Sequence, residues 1–149
     1  MNTLDLLPHR PPMRLLDGVL DLVPGASARG RRTVRADDFF LDGHFPGEPI
    51  VPAVILVELV AQLGGLAAAA TGGPASGEEL AVRLRIAGLG PFKFPSAAVP
   101  GDELEVLARV AGRLGGLYKI EGQVTAGGRL VAAGSVTLGT AAPPSTPTA

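Results

Sequence analysis

The sequence predicts an α+β domain in which a curved antiparallel β-sheet wraps one long hydrophobic helix. Between residues 50 and 70 the only side chains with polar atoms are Glu58 and Gln62, so a helix there is apolar on nearly every side. From residue 80 onward, apolar and polar residues alternate in segments separated by glycine-rich turns, which is typical of strands with one buried face. A sheet that packs one face on a helix needs this alternation, whereas a covered helix does not.

The strands are predicted in two groups, one on each side of the helix in the chain. Residues 3–10 are expected to form a short helical or turn segment, and residues 13–22 and 27–35 the first two strands. Five more strands are predicted at residues 80–86, 92–98, 103–110, 117–125 and 129–138. The turns between them are expected at 88–90, 101–102, 112–116 and 127–128. A surface loop is expected at 71–79, and no internal repeat is evident.

The length and composition indicate a single domain. The 149 residues suffice for one core, which we assign to residues 1–138, and the Pro-, Thr- and Ala-rich residues 139–149 are expected to be a flexible tail. The formal net charge of -1 argues against nucleic-acid binding, which normally uses a concentrated basic patch. Because the chain has no cysteine and only 2 histidines, disulfides, thiolate catalysis and a metal site are not expected.

The apolar run is predicted to be a core helix and not a membrane span. Pro52, Glu58, Gln62 and the pair Gly64-Gly65 interrupt it, and no lysine or arginine flanks it closely. The N-terminus lacks the basic start and the unbroken apolar stretch of a signal peptide. We therefore expect a cytoplasmic protein without a membrane segment.

The residues that point to chemistry lie in a proline-rich loop and in the helix that follows it. His44 lies between Gly43 and Phe45, ahead of three prolines that restrict the loop. Glu58 is the one carboxylate on the apolar helix, where burial disfavours the charged form and suits a general acid. A neutral imidazole is a suitable general base near neutral pH. The alternatives are that His44 has a purely structural role and that Glu58 forms a buried ion pair.

The start of the helix offers a site for a developing negative charge. Pro52 suits a first-turn position, which leaves the backbone N–H groups of Ala53 and Val54 without helical acceptors. Such groups, at the positive end of a helix dipole, can polarise a carbonyl. Gln62, one turn after Glu58, is expected to hold the Glu58 carboxyl group by a hydrogen bond.

Three sequence blocks together resemble one enzyme family. The first is Gly43-His44-Phe45-Pro46-Gly47, followed by Pro49, Pro52 and Glu58. The second is Leu7-Pro8-His9-Arg10 with Pro12 and Leu15-Leu16-Asp17, and the third is Lys93-Phe94 with Val99-Pro100-Gly101-Asp102. In this order and spacing, over residues 6–138, the blocks resemble those of the 3-hydroxyacyl-(acyl carrier protein) dehydratases of bacterial fatty acid synthesis.

The resemblance implies a hotdog fold and a dehydration of (3R)-3-hydroxyacyl thioesters to trans-2-enoyl thioesters that needs no cofactor and no metal. It implies that the substrate arrives on the phosphopantetheine arm of acyl carrier protein, in fatty acid, polyketide or aryl polyene synthesis. It also implies a homodimer in which His44 works with Glu58 of the partner chain, with three dimers commonly grouped in a hexamer. The residues assigned to substrate binding are Phe45, Ala53, Val54 and Gln62.

One departure from the family pattern concerns Ala53, where the family usually has glycine. The N–H group survives in alanine, so the added methyl group bears on substrate scope more than on chemistry. In the resembled family, the branch that both dehydrates and isomerises has aspartate at the position of the acid. Glu58 therefore favours the branch that only dehydrates. Two other functions stay open: a hotdog acyl thioesterase, and a non-catalytic acyl-binding protein with the same fold.

Two further sets of residues each have two interpretations. His9 belongs to the N-terminal block, and structural packing or capping is the interpretation that we favour for it. Four arginines lie close together at positions 29, 31, 32 and 35. They form either a docking patch for an acidic carrier protein or, as is commoner, solvated charges on an edge strand.

Overall fold

One helix packs against a six-stranded sheet in the part of the chain that this computed structural model describes, residues 3–69 and 84–140. The helix α1 spans Ala53–Ala69. The strands are β1 Gly18–Val23, β2 Ser27–Thr33, β3 Leu84–Lys93, β4 Glu103–Leu114, β5 Leu117–Ala126 and β6 Arg129–Thr140. Two short 3-10 turns, Thr3–Leu6 and Phe39–Leu41, precede β1 and α1 respectively.

The sheet is antiparallel throughout, and its strand order is β1-β2-β4-β5-β6-β3. The helix contacts β2, β4, β5 and β6, so the middle of the sheet covers it. The apolar alternation of these strands supplies the buried face, with Val106, Ile120 and Val124 fully buried against the helix side chains Leu59 and Leu63. This confirms the predicted α+β architecture, a central hydrophobic helix on a curved sheet.

Two glycines let the helix approach the sheet closely. A Cβ atom at Gly64 of α1 would lie 2.5 Å from Ile120 Cγ2, and one at Gly122 of β5 would lie 2.4 Å from Val60 Cγ1. Because real Cβ atoms do not approach so closely, any larger residue at either position would push helix and sheet apart.

The third strand is longer than predicted. Residues 88–90 were expected to form a turn between two strands, but they lie inside β3, which runs without interruption from Leu84 to Lys93. Two register shifts against β6, at Ile86/Gly88 and at Leu89/Phe92, absorb the irregularity. Glycine in a strand marks a bulge as readily as a turn, and here the bulge is what forms. Residues 94–98, expected to be in a strand, lie outside it.

The first strand is shorter than predicted. Residues 13–17 are not in a strand, because polar groups outside the sheet satisfy part of their backbone. Leu15 N–H donates to Gln62 Oε1 at 3.0 Å, and the Gln62 amide donates to Met13 O at 2.8 Å. The segment is thus attached to the helix, and β1 begins only at Gly18.

The turn between β5 and β6 follows the sequence closely. Gly127 and Gly128 have φ angles of 56° and 82°, as a two-residue hairpin loop with two left-handed positions requires. At the preceding hairpin β4 extends to Leu114, so the predicted turn at 112–116 is reduced to Gly115-Gly116.

The helix is not covered on every side within one chain. It is buried from Leu59 onward, whereas Ala53 is exposed and Val54 is 72% exposed in its first turn. The expectation of cover on all sides is therefore wrong for the first turn, because the described residues leave the side chains of Ala53 and Val54 exposed. No helix in the described ranges combines the length and apolarity needed to cross a bilayer.

Two predicted segments fall largely outside the described residues. They are the loop at 71–79, together with the first residues of the strand predicted at 80–86, and residues 141–149 of the tail predicted at 139–149. The first two residues of the predicted tail, Gly139 and Thr140, instead belong to β6, where they pair with neighbouring strands.

Candidate active site

His44 lies in the loop between the second 3-10 turn and α1, and the loop fixes its ring. His44 N–H donates to Leu41 O at 3.0 Å, and His44 O accepts from Ile50 N–H at 2.9 Å. The ring stacks on Phe45 with 4.3 Å between ring centroids. Its Nδ1 lies 2.9 Å from Ile50 O. A carbonyl oxygen can only accept, so Nδ1 carries the proton and Nε2 keeps the lone pair of a base.

The loop is tied to the second half of the chain at the point where the helix begins. Val51 N–H donates to Ala98 O at 2.9 Å, just before α1. The Val99–Asp102 block is itself a turn, in which Val99 N–H donates to Asp102 Oδ2 at 3.0 Å. Val34 N–H in turn donates to Asp102 O at 2.9 Å. The third sequence block therefore supports the loop that carries His44.

A buried ion pair holds the residue that precedes the second 3-10 turn, which leads into the His44 loop. The side chains of Arg32 and Asp38 are 9% and 10% exposed and bind each other directly. Arg32 also donates to Leu15 O at 3.0 Å and lies over the Phe40 ring, and Asp38 accepts from Arg35 N–H at 2.8 Å. The ion pair thus joins β2, the N-terminal segment and the start of the loop.

This arrangement corrects the interpretation of the four arginines. Arg32 is buried, so it cannot belong to a docking patch. Arg29 pairs with Glu105 at 3.6 Å, and Arg35 pairs with Asp17 at 3.0 Å. Strand β2 lies between β1 and β4, so the alternative of an edge strand is also wrong.

Glu58 lies on α1 with its side chain 23% exposed, at the wall of a cavity of about 440 Å³. Its Oε1 lies 3.3 Å from Gln62 Nε2 and 3.3 Å from His9 Nε2. The cavity is mostly apolar and is lined by Leu7, Pro8, His9, Glu58, Ala61, Gln62, Gly65, Leu84, Arg85, Ile86 and Leu138. The carboxyl group therefore faces a space with room for an acyl chain, and it is not sealed in the core.

Gln62 is the buried link between the acid and the N-terminal segment. Its side chain is 2% exposed, and it contacts Leu15 N–H, Met13 O and Glu58 Oε1. The two backbone contacts fix the orientation of the amide, because the oxygen accepts from an N–H group and the nitrogen donates to a carbonyl. Its NH2 group is therefore the end that faces Glu58.

His9 is the residue beside the acid that sequence reasoning did not assign to the site. It was interpreted as packing or capping, yet its imidazole lines the cavity and touches the Glu58 carboxyl group. The available signal was the position of His9 inside a sequence block that otherwise resembles an enzyme family. Nothing in the sequence shows that this block folds back onto α1.

The remaining predicted site residues lie apart from this cavity within one chain. His44, Phe45, Ala53 and Val54 are not among its lining residues, and Phe45 is 53% exposed. A turn hydrogen bond from Ile55 N–H to Pro52 O at 3.0 Å leads into α1, and the N–H groups of Ala53 and Val54 lie ahead of the helical ladder. The structure thus places the expected base and the expected acid in two separate groups.

A larger groove of about 740 Å³ lies elsewhere on the sheet and contains neither His44 nor Glu58. Its charged lining residues include Arg29, Arg109 and Glu121, and the last two form an exposed ion pair. Neither histidine of the chain lines this groove, whereas His9 and Glu58 both line the smaller cavity, which is therefore the candidate site.

The fold and the cavity together define a hotdog-type protein with a carboxyl group on its central helix. A family model described as a FabA-like domain matches residues 7–135, and the chain belongs to this family. The sequence is 39% identical to the 3-hydroxyacyl-(acyl-carrier-protein) dehydratase FabZ of Natranaerobius thermophilus over 136 residues, 89% of this chain and 90% of that one. It is 35% identical to the FabZ dehydratase of Syntrophotalea carbinolica over 132 residues, 89% of this chain and 87% of that one.

A solved structure shares the fold. The dehydratase heterocomplex ApeI:P from Xenorhabdus doucetiae matches with a TM-score of 0.76 at 18% identity, over 95% of this chain and 92% of that one. At this identity the match supports the architecture alone. The assignment to the family rests on the sequence comparisons.

Proposed function

We propose that the protein dehydrates (3R)-3-hydroxyacyl thioesters carried on acyl carrier protein to trans-2-enoyl thioesters, in fatty acid or related polyketide or aryl polyene biosynthesis. The observation that carries this function is the carboxyl group of Glu58 at the wall of an apolar cavity. The relatives named as dehydratases, which match over most of their length, support the same activity. The proposed compartment is the cytoplasm, as expected from the sequence.

The proposed reaction divides between an imidazole and a carboxyl group. His44 Nε2 takes a proton from C2 of the substrate, because Nδ1 is committed to Ile50 O. The N–H groups of Ala53 and Val54 bind the thioester oxygen as negative charge develops on it. The C3–O bond then breaks as Glu58 gives its proton to the departing hydroxyl group. One water leaves, and the C2–C3 double bond remains.

The proposed assembly is a homodimer with shared sites, grouped further into a trimer of dimers. Strand β3 is an edge strand of the sheet, and its side chains Ile86 and Leu89 are 42% and 63% exposed. A long apolar edge favours pairing with another strand. Because Leu84 and Ile86 of β3 also line the Glu58 cavity, a second copy paired here lies beside that cavity. In the proposed dimer, the His44 of the second copy is the base for this cavity, because the His44 of the same chain does not line it.

The dehydratase and thioesterase functions give different products. An ultraviolet assay with 3-hydroxyacyl thioesters of several lengths is expected to detect the conjugated enoyl thioester. Release of free thiol without that product would support the thioesterase, and tight binding with neither product would support a non-catalytic acyl-binding protein.

Gly65 is expected to set the depth of the acyl site. Among the described residues, a Cβ atom there comes within 4 Å of Leu138 Cδ1 alone, at 3.9 Å, so a larger side chain points into the cavity without a clash with the described backbone. In the series Gly65→Ala and Gly65→Val, we expect kcat/KM for long acyl chains to fall about tenfold or more relative to short chains. Competition between substrates of different length measures this ratio. A ratio unchanged by valine would place the acyl chain elsewhere.

A further inference from the structure

The imidazole of His9 contacts the Glu58 carboxyl group but has no role in the proposed reaction as described so far. Its Nε2 lies 3.3 Å from Glu58 Oε1, while its Nδ1 is buried and has no hydrogen-bond partner among the described residues. The backbone at this point is held by Arg10, whose guanidinium donates to Leu7 O at 2.7 Å and to His9 O at 2.9 Å. The ring is therefore held beside the acid by the fold.

The environment of the two ring nitrogens selects one protonation form. A proton on Nδ1 would be a buried donor without an acceptor, and an imidazolium would have the same defect together with a charge. A bare Nδ1 leaves only a lone pair unpaired, which is the smaller loss. The proton therefore belongs on Nε2, and His9 donates to Glu58 Oε1.

Gln62 donates to the same oxygen. Its Nε2 lies 3.3 Å from Glu58 Oε1, so two N–H donors converge on this atom. An oxygen that accepts from two donors is a poor place for the acidic proton of a neutral carboxyl group. Among the described residues Glu58 Oε2 has no partner, and it is the oxygen left to hold the proton.

We infer that His9 is a positioning residue which, together with Gln62, keeps the transferable proton of Glu58 on Oε2. The inference rests on the proposed function, because it assigns the atom from which the departing hydroxyl group is protonated. After the transfer, the same two N–H groups stabilise the carboxylate that is left. The two donors thus orient the acid before the step and bind its anion after it.

The other charged groups near the cavity do not replace this pair of donors. Arg85 of β3 lines the cavity, and its guanidinium donates to Leu84 O at 2.9 Å. Arg14 is paired with Asp5 at 3.3 Å. Among the described residues no hydrogen bond or ion pair joins Glu58 to Arg85 or Arg14, and Gln62 on the same helix is uncharged.

The kinetic test compares two substitutions of His9. Glutamine can place an N–H donor where the imidazole Nε2 lies, whereas methionine fills the space without a donor. For His9→Met we expect kcat to fall about 10–100-fold, the rate equivalent of one hydrogen bond to a charged group, with KM changed less than about threefold. For His9→Gln we expect kcat within about threefold of the wild type. Equal loss in both variants, or full kcat in His9→Met, would overturn the inference.

A second measurement does not depend on turnover. In protein labelled with ¹⁵N-histidine, nitrogen shifts show which ring nitrogen carries the proton. The chain has 2 histidines, so the signals lost in His9→Gln belong to His9. We expect a protonated Nε2 and a bare Nδ1, and a proton on Nδ1 would refute the assignment. If the wild type forms no enoyl thioester, the proposed function fails. The spectrum still shows whether Nε2 of His9 carries the proton that is donated to Glu58.

Discussion

Replacement of Glu58 by glutamine is expected to lower kcat for dehydration by about 10²–10⁴-fold while the protein stays folded. The side chain keeps its size, and its amide oxygen can still accept from Gln62 and His9, so the packing of α1 is preserved. What disappears is the proton that the departing hydroxyl group receives in the proposed reaction. His44→Ala is expected to cause a loss of similar size, because it removes the proposed base.

The measurement is the rate of enoyl thioester formation, together with a thermal melt of each variant. Glu103→Gln is the matched control, since Glu103 is an exposed carboxylate at the start of β4, away from the cavity. This control is expected to keep the wild-type rate. Full turnover by Glu58→Gln would remove the carboxyl group from the mechanism.

Asp38→Ala is expected to lower the free energy of unfolding by about 3–5 kcal/mol. The substitution leaves the guanidinium of Arg32, whose side chain is 9% exposed, without its counter-charge. Arg35 N–H also loses its acceptor, so the start of the His44 loop is released. Denaturant unfolding at fixed protein concentration measures the loss, and the midpoint of thermal unfolding should fall by about 10 °C or more.

Two further variants separate the buried charge from general damage. The double substitution Arg32→Met with Asp38→Leu removes both charges and is expected to regain much of the lost stability. Glu121→Ala breaks the ion pair between Arg109 and Glu121, in which the two side chains are 62% and 45% exposed respectively. It should lower the free energy of unfolding by no more than about 1 kcal/mol. A loss at Asp38 no larger than the loss at Glu121 would show that the Arg32 pair is not an anchor.

The elements with one strong local signal could be predicted from the sequence. The long apolar run predicts α1, and period-two alternation with glycine turns predicts β4, β5 and β6. The pair Gly127-Gly128 specifies the hairpin, because two left-handed positions favour glycine.

The features that the sequence misstated depend on contacts between distant segments. Gly88 and Gly90 indicate a turn locally, yet pairing with β6 keeps them inside β3. Residues 13–17 alternate like a strand, but Gln62 takes up part of their backbone hydrogen bonding. Arg32 is a charged residue of the kind usually found on the surface, but it is buried because it forms an ion pair with Asp38.

The site was predicted unevenly for the same reason. Residue chemistry singles out His44, Glu58 and Gln62, since each stands out from an apolar or proline-rich surrounding. The contact of His9 with Glu58 joins residues 49 positions apart and has no local signal. The pairing of His44 with a second chain has no signal in the periodicity either, and it stays a proposal.

The most direct test of the shared site is complementation between His44→Ala and Glu58→Gln. Each variant alone is expected to be nearly inactive. In a mixed dimer, one site combines the intact His44 of one chain with the intact Glu58 of the other. Random exchange of equal amounts should therefore restore about one quarter of the wild-type activity. A mixture that exchanges subunits yet stays as inactive as the separate variants would contradict the shared site.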